Sequence, residues 1–299
     1  MTWLILLAIG VALFLLFNGI AARKHKRERE ARPRITAEEV QAVFDLMEAE
    51  RLPLVRLRPD TDRVPAPLET RLGGAPWTEA GSDWPMDDSG SPYLFLAQIN
   101  FSDIPPLPDF PEEGLLQVFV AWEGGGLVGG DDGGEKSHKL RWYPNPAGGA
   151  LLPIPPAHLK PKSQPFNTDI ARERGLALRF EADELPATPY ALPVEAAWPN
   201  DFERLAENED VEEMLGRIET MGDELVEKYG PHRIGGHPTF VQDDPRHDPA
   251  LKDMDRVLLH LGFDDHVCIG DAGEINLMIR SGDLAARRFE KAFYYWDCS

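Results

Sequence analysis

Arg71-Leu72-Gly73-Gly74-Ala75-Pro76 returns 162 residues later as Arg233-Ile234-Gly235-Gly236-His237-Pro238. In each copy the paired glycines admit positive φ and the proline fixes the exit, so each reads as a turn. The same offset sets Phe95-Leu96-Ala97-Gln98-Ile99-Asn100-Phe101 against Val257-Leu258-Leu259-His260-Leu261-Gly262-Phe263. Gly114-Leu115-Leu116-Gln117-Val118-Phe119-Val120 then matches Gly273-Glu274-Ile275-Asn276-Leu277-Met278-Ile279, with the offset smaller by three. One Gly-Gly match is chance. Three blocks in one order, two of them sharing an offset, indicate a duplication, and two copies at this spacing are no solenoid. The expected fold class is α+β: duplicated, mostly antiparallel β-rich halves related by a pseudo-twofold axis, each preceded by a helix. The first half runs over about 36–182 and the second over about 183–299. Each would hide an apolar sheet face that it cannot hide alone, and the groove between them is the default ligand site.

The residues around these blocks supply the elements. Thr36 and Glu39 form a capping box, and Val40, Val43, Phe44 and Met47 fall on one face, which predicts an amphipathic helix over 37–50. Short strands are expected at Leu52–Leu57, Tyr93–Phe101, Leu115–Trp122 and Leu140–Tyr143, and the alternation at 176–182 predicts another. Residues 123–135 are Gly-rich and read as a hairpin tip, and 153–165 carry five prolines and read as a long connection. Asn200 and Asp210 start helices, the second with a stripe of Val211, Met214, Leu215, Ile218, Met221 and Leu225 that is core rather than a cofactor box.

The N-terminus is of another kind. Residues Trp3 to Ala22 are almost wholly apolar, and twenty residues at 1.5 Å rise span about 30 Å, the hydrocarbon thickness of a bilayer. No side-chain charge precedes the run, which argues against a cleaved signal peptide. Residues 23–34 follow with seven Lys/Arg and two Glu, net +5, within a chain of −20, so the rest carries −25. The positive-inside rule then gives a single-pass membrane protein with its N-terminus outside: anchor 1–22, basic juxtamembrane linker 23–35, and a cytoplasmic body over 36–299. The lipid bilayer, met through residues 3–22, is the first expected partner. The basic linker is a topology signal or a patch for anionic headgroups. So acidic a body excludes nucleic acid, whose phosphates need a basic face. A peptide or protein partner is expected instead. Two cysteines, Cys268 and Cys298, suit a reducing cytosol, although they suffice for one bridge.

The densest polar cluster is His232, Arg233, His237, Gln242, Asp243, Asp244, Arg246 and His247. Imidazoles and carboxylates this close can bind a metal or exchange protons, so a metal-assisted hydrolase on the His232–His247 loop is the alternative function. The spacing fits no known zinc motif, and the plainer reading is a polar loop beside the Gly-Gly turn, with Arg246 and the aspartates paired at the surface. The counterpart around Arg71 and Trp84 is the other first choice for a binding site, with Gln98 and His260 in matching slots. Arg71 and Arg233 would grip a carboxylate or phosphate, or else satisfy carbonyls of the adjacent turn. No cofactor is indicated: residues 124–134 lack the Gly-Lys-Ser/Thr of a phosphate loop, and Asp131-Asp132-Gly133 lacks the ligands of an EF-hand. No Gly-x-Ser-x-Gly is present either. The leading expectation is a membrane-anchored binding module, more non-enzymatic than enzymatic.

Taken in order, Arg-[Leu/Ile]-Gly-Gly-x-Pro, Trp84-Pro85, Leu94 to Asn100, Gly235-Gly236-His237-Pro238 with Gln242, and Gly270-Asp271-Ala272-Gly273 resemble the YwqG-like family of uncharacterised bacterial proteins. The resemblance covers roughly 53–298. It implies a duplicated, largely antiparallel α+β fold and brings no catalytic residues with it. The N-terminal anchor is an addition to that pattern, and His260 stands where the first copy has Gln98.

Overall fold

The computed structural model describes residues 37–123, 126–127, 136–159, 165–188, 191–197 and 228–298. The expected anchor, the basic linker, most of the Gly-rich tip and the helices expected after Asn200 and Asp210 lie outside the described residues. Among the described residues no helix is long and apolar enough to cross a membrane. The chain divides into two compact units, 1–42 with 199–216 and 43–198 with 217–299. Of the first only 37–42 are described; the sheet below belongs wholly to the second.

That unit is β-rich with few helices. Helix α1 spans Ala37–Ala49, and its buried Val43 and Met47 pack on Ala187, Ala191 and Val194. Ten strands make one antiparallel sheet: β1 Leu52–Asp60, β2 Arg71–Leu72, β3 Leu94–Asn100, β4 Leu115–Val120, β5 His138–Tyr143, β6 Leu176–Leu185, β7 His232–Gly235, β8 Arg256–Leu261, β9 Glu274–Ile279 and β10 Phe293–Asp297. Their order across the sheet is β10-β9-β8-β7-β1-β6-β2-β3-β4-β5. The short strand expected at Leu52–Leu57 is nine residues long and central, paired with β6 along its whole length. Its prolines, Pro53 and Pro59, lie outside Leu54–Arg56, the stretch paired on both sides, so the doubly bonded part keeps every N–H.

The sheet is nearly closed. Period-two alternation puts Val55, Leu57, Leu116, Val118, Leu176, Leu178, Ile275 and Leu277 into one apolar core that also holds Tyr294 of β10. At the seam Trp142 of β5 meets Phe289 at 4.7 Å between ring centroids, and His138 meets Tyr294 at 5.9 Å. A curled sheet of this kind buries its inner face without a covering layer of helices.

The two flanks of the central β1–β6 pair run in matching order. β2, β3 and β4 follow β6 outward as β7, β8 and β9 follow β1. Arg71 pairs with Gln98 as Arg233 pairs with His260. A register shift falls between Phe95 and Ala97 in one flank and between Val257 and Leu259 in the other. Both Gly-Gly turns have positive φ at each glycine, 63° and 69° at Gly73 and Gly74, 79° and 72° at Gly235 and Gly236. Two strands separate β2 from β7, so the turns stand roughly 14 Å apart across the sheet at the usual strand spacing.

Candidate functional site

On the outer face of the sheet each flank carries a polar cluster beside its Gly-Gly turn. In the first, Arg71 is buried, and its guanidinium donates to the carbonyls of Ala75 at 3.2 Å and of Ala66, Pro65 and Glu69. Burial lowers it to about 10, with Glu69 opposing. Gln98 is wholly buried. Its Oε1 accepts from Trp77 N–H at 2.9 Å and Gln117 Nε2 at 3.0 Å, and its Nε2 donates to Pro67 O at 2.9 Å and Glu69 O at 3.0 Å. Arginine here satisfies carbonyls of its own turn, and Gln98 uses both its oxygen and its nitrogen on neighbouring groups, while Gln117 Oε1 is buried without a hydrogen-bond partner.

The second cluster repeats that frame with different chemistry. Arg233 donates to His237 O at 2.9 Å, the slot of Ala75, and to Thr239 Oγ1 at 3.1 Å. Asn276 Nδ2 donates to Thr239 O at 2.7 Å, as Gln117 donates to Trp77 O at 2.5 Å. That bond fixes the Asn276 amide, so Oδ1 faces His260 Nδ1 at 3.0 Å and His260 carries its proton on Nδ1. Its bare Nε2 then lies 3.9 Å from Glu274 Oε2, which accepts from Thr239 Oγ1 at 2.8 Å. Burial, then the Arg233 charge, holds His260 well below the usual imidazole value. Burial also lowers Arg233 to about 10 and raises Glu274, against the pull of Arg233 and with the help of Asp297. Asp297 pairs with Glu274 in register on β10, is itself raised by burial, and has an Oδ1 with no hydrogen-bond partner. Two carboxyls held above their ordinary range by burial, an imidazole held below its own, a hydroxyl and a guanidinium thus share one face.

The structure brings Arg233, His237, Gln242, Asp243 and His260 together around this group. Gln242 N–H donates to Asp297 Oδ2 at 2.8 Å, and the exposed Asp243 accepts from the Tyr295 hydroxyl at its carbonyl. It does not gather the imidazoles of the loop. His232 contacts Asp264 at 3.1 Å, His237 meets Glu50 O at 2.5 Å, and His247 meets Glu195 at 2.8 Å. Arg246 closes on Asp244 at 2.6 Å, both buried. Among the described residues no three His, Cys, Asp or Glu side chains stand close enough to hold a metal ion. Trp84 lies apart in the first flank, its Nε1 donating to Tyr93 O at 2.7 Å. Beside it a recess lined by His158, Phe166 and Arg172 encloses ≈ 10 Å³, the room of a single water.

Glu274, Asp297 and Thr239 are missing from the residues that the sequence singles out. Glu274 was legible: it replaces Leu115 at the matching slot, a carboxylate opening an apolar strand. Asp297 was not, because none of the repeated sequence blocks reaches β10.

Comparison with curated proteins finds no match. The chain belongs to the family described as Domain of unknown function (DUF1963), whose model matches residues 70–298.

Proposed function

We propose that this chain is a single-pass membrane protein whose body, YwqG-like in type and built from two copies of one unit, is a cytoplasmic binding module for a peptide or protein of basic character. The apolar run 3–22 with its +5 flank supports the anchor and its orientation. The matching strand order, the paired register shifts and the repeated Arg–turn hydrogen bonds support the duplication. A body of −25 favours encounter with positive partners.

One observation carries the non-enzymatic reading: the polar side chains at both turns direct their donors and acceptors into the fold, and the three imidazoles of the 232–247 loop turn to three different partners. What remains at the surface is the rim of the second cluster, Gln242 and Asp243, with Glu274 part-exposed behind it. That rim is the docking edge of this reading, and a cationic side chain is its complement.

The test uses the full chain in its own membranes. Alkaline carbonate is expected to leave it in the pellet, and protease added outside sealed cells is expected to spare the body. A photo-crosslinking residue at 243 is expected to give a discrete adduct with another protein, weakened by raised salt. A chain released by carbonate, or one with no adduct at 242 or 243 but full crosslinking elsewhere on the body, overturns the reading.

A further inference from the structure

We propose that Cys268 and Cys298 are a thiol pair that closes to an intramolecular disulfide when the protein meets a small disulfide oxidant such as oxidised glutathione. They are the chain's two cysteines, and both sulfurs touch one residue, Gly270. Cys268 Sγ donates to Gly270 O at 3.5 Å. Cys298 occupies the place where a side chain at 270 would stand: a Cβ there would lie 2.6 Å from Cys298 Sγ and 2.7 Å from its Cβ. Gly273 clears the same space, since a Cβ there would come 2.6 Å from Cys298 Cβ and 2.0 Å from Asp297 O. The turn Gly270-Asp271-Ala272-Gly273 is therefore bare backbone on the side that receives Cys298.

Both positions are held. Cys268 N–H donates to Pro165 O at 2.7 Å, Gln242 Nε2 donates to Cys298 O at 2.6 Å, and Gly273 N–H closes the turn on Ile269 O at 2.6 Å. Both thiols are free and neither is fully buried, so a small oxidant reaches them. Cys298 follows the last residue of β10, so closing the bond requires no break in the β9–β10 ladder. Cys268 is a partly exposed thiol with the second thiol across the same turn.

The exchange balances. The Cys298 thiolate attacks one sulfur of oxidised glutathione and releases one glutathione thiolate, leaving a mixed disulfide. The Cys268 thiolate then attacks Cys298 Sγ and releases the second glutathione. The protein loses two hydrogens and two electrons, and the oxidant becomes two glutathione thiols, with the released thiolates taking up the protons. In a reducing cytosol such a bond is transient, which suits a reporter of oxidant exposure.

The test incubates the full chain in detergent with excess oxidised glutathione, quenches with acid, alkylates, and reads intact mass and non-reduced peptides. Expected are the loss of two hydrogens and one cross-linked peptide pair containing 268 and 298, reversed by reductant. Cys268→Ser is expected to keep one glutathione on Cys298 instead. Closure in the folded chain is expected to run at least tenfold faster than in urea, because the fold supplies the proximity that a loop of this length otherwise has to find by diffusion. Glutathione retained on both cysteines of the wild type, or closure no faster folded than unfolded, overturns the proposal.

Discussion

Replacing Gln98 by Leu tests whether the first polar cluster is a structural brace. Leucine keeps most of the volume and removes four hydrogen bonds, two accepted by Oε1 and two donated by Nε2. The Trp77 N–H, within a fully buried residue, loses its acceptor at a cost of about 2 kcal/mol, and the donations to Pro67 and Glu69 add about 1 kcal/mol each, so the total is about 4 kcal/mol. The Gln117 amide keeps Trp77 O and adds little. At the matching slot, His260→Leu orphans only Asn276 Oδ1, since the Asn276 amide still holds Thr239 O, and costs about 2 kcal/mol. At roughly 2–4 °C per kcal/mol for a body of this size, Gln98→Leu is expected to lower Tm by about 8–16 °C and His260→Leu by about half as much. Chemical denaturation of the detergent-solubilised chain, with an unchanged m-value, separates the two. A Gln98→Leu variant no less stable than His260→Leu refutes the brace.

Other perturbations address other parts of the fold. His260 stays neutral in the folded state while the unfolded chain takes up a proton through the ordinary imidazole range, so folding is weakened as pH falls below that range. His260→Gln is expected to flatten this loss by up to about 1.4 kcal/mol per pH unit between pH 6 and 5, read from urea midpoints; an unchanged slope counts against a buried neutral imidazole. Asp244→Ala strands the buried Arg246 guanidinium and is expected to cost about 3–5 kcal/mol, whereas Asp244→Ala with Arg246→Met costs clearly less. Equal losses in single and double variants would remove the pairing argument. Gly235→Ala places a Cβ 2.6 Å from Pro53 O at φ 79°, and is expected to abolish soluble folded body at 37 °C, while Gly282→Ala, where the space is open, leaves Tm unchanged. The exposed His247–Glu195 pair is expected to contribute nothing measurable, and a clear Tm loss in His247→Ala would contradict its surface character.

Much of the sheet was legible because its signals are local. The runs at 94–100 and 115–120 are apolar and bounded by turn residues, and they form β3 and β4 within one or two residues of the expected limits. The Gly-Gly turns announced themselves by spacing. β1 was underestimated because Pro53, Arg56, Arg58 and Pro59 break its apolar pattern; its length is set by nine-residue pairing with β6, which no window of sequence around 52–60 contains. The seam escaped for the same reason: Trp142, Phe289 and Tyr294 meet only once the sheet curls. The sequence leaves Arg71 between a ligand and its own turn, and its guanidinium donates to carbonyls of that turn. The second cluster was half legible. Arg233 and His260 stood out through the repeat, but the 232–247 loop looked like a metal site only because nearness in sequence says nothing of where each ring points.

The place of β1 also sets a schedule for biosynthesis. Its two neighbours, β6 and β7, begin at residues 176 and 232, so the central strand leaves the ribosome long before either arrives. At typical translation speeds of about 5–20 residues per second, β1 waits roughly 6–25 s for β6 and longer for β7. During that interval its Leu54, Val55 and Leu57 are exposed to holdase chaperones and to self-association, and the charges at Arg56 and Arg58 act as gatekeepers on the nascent chain.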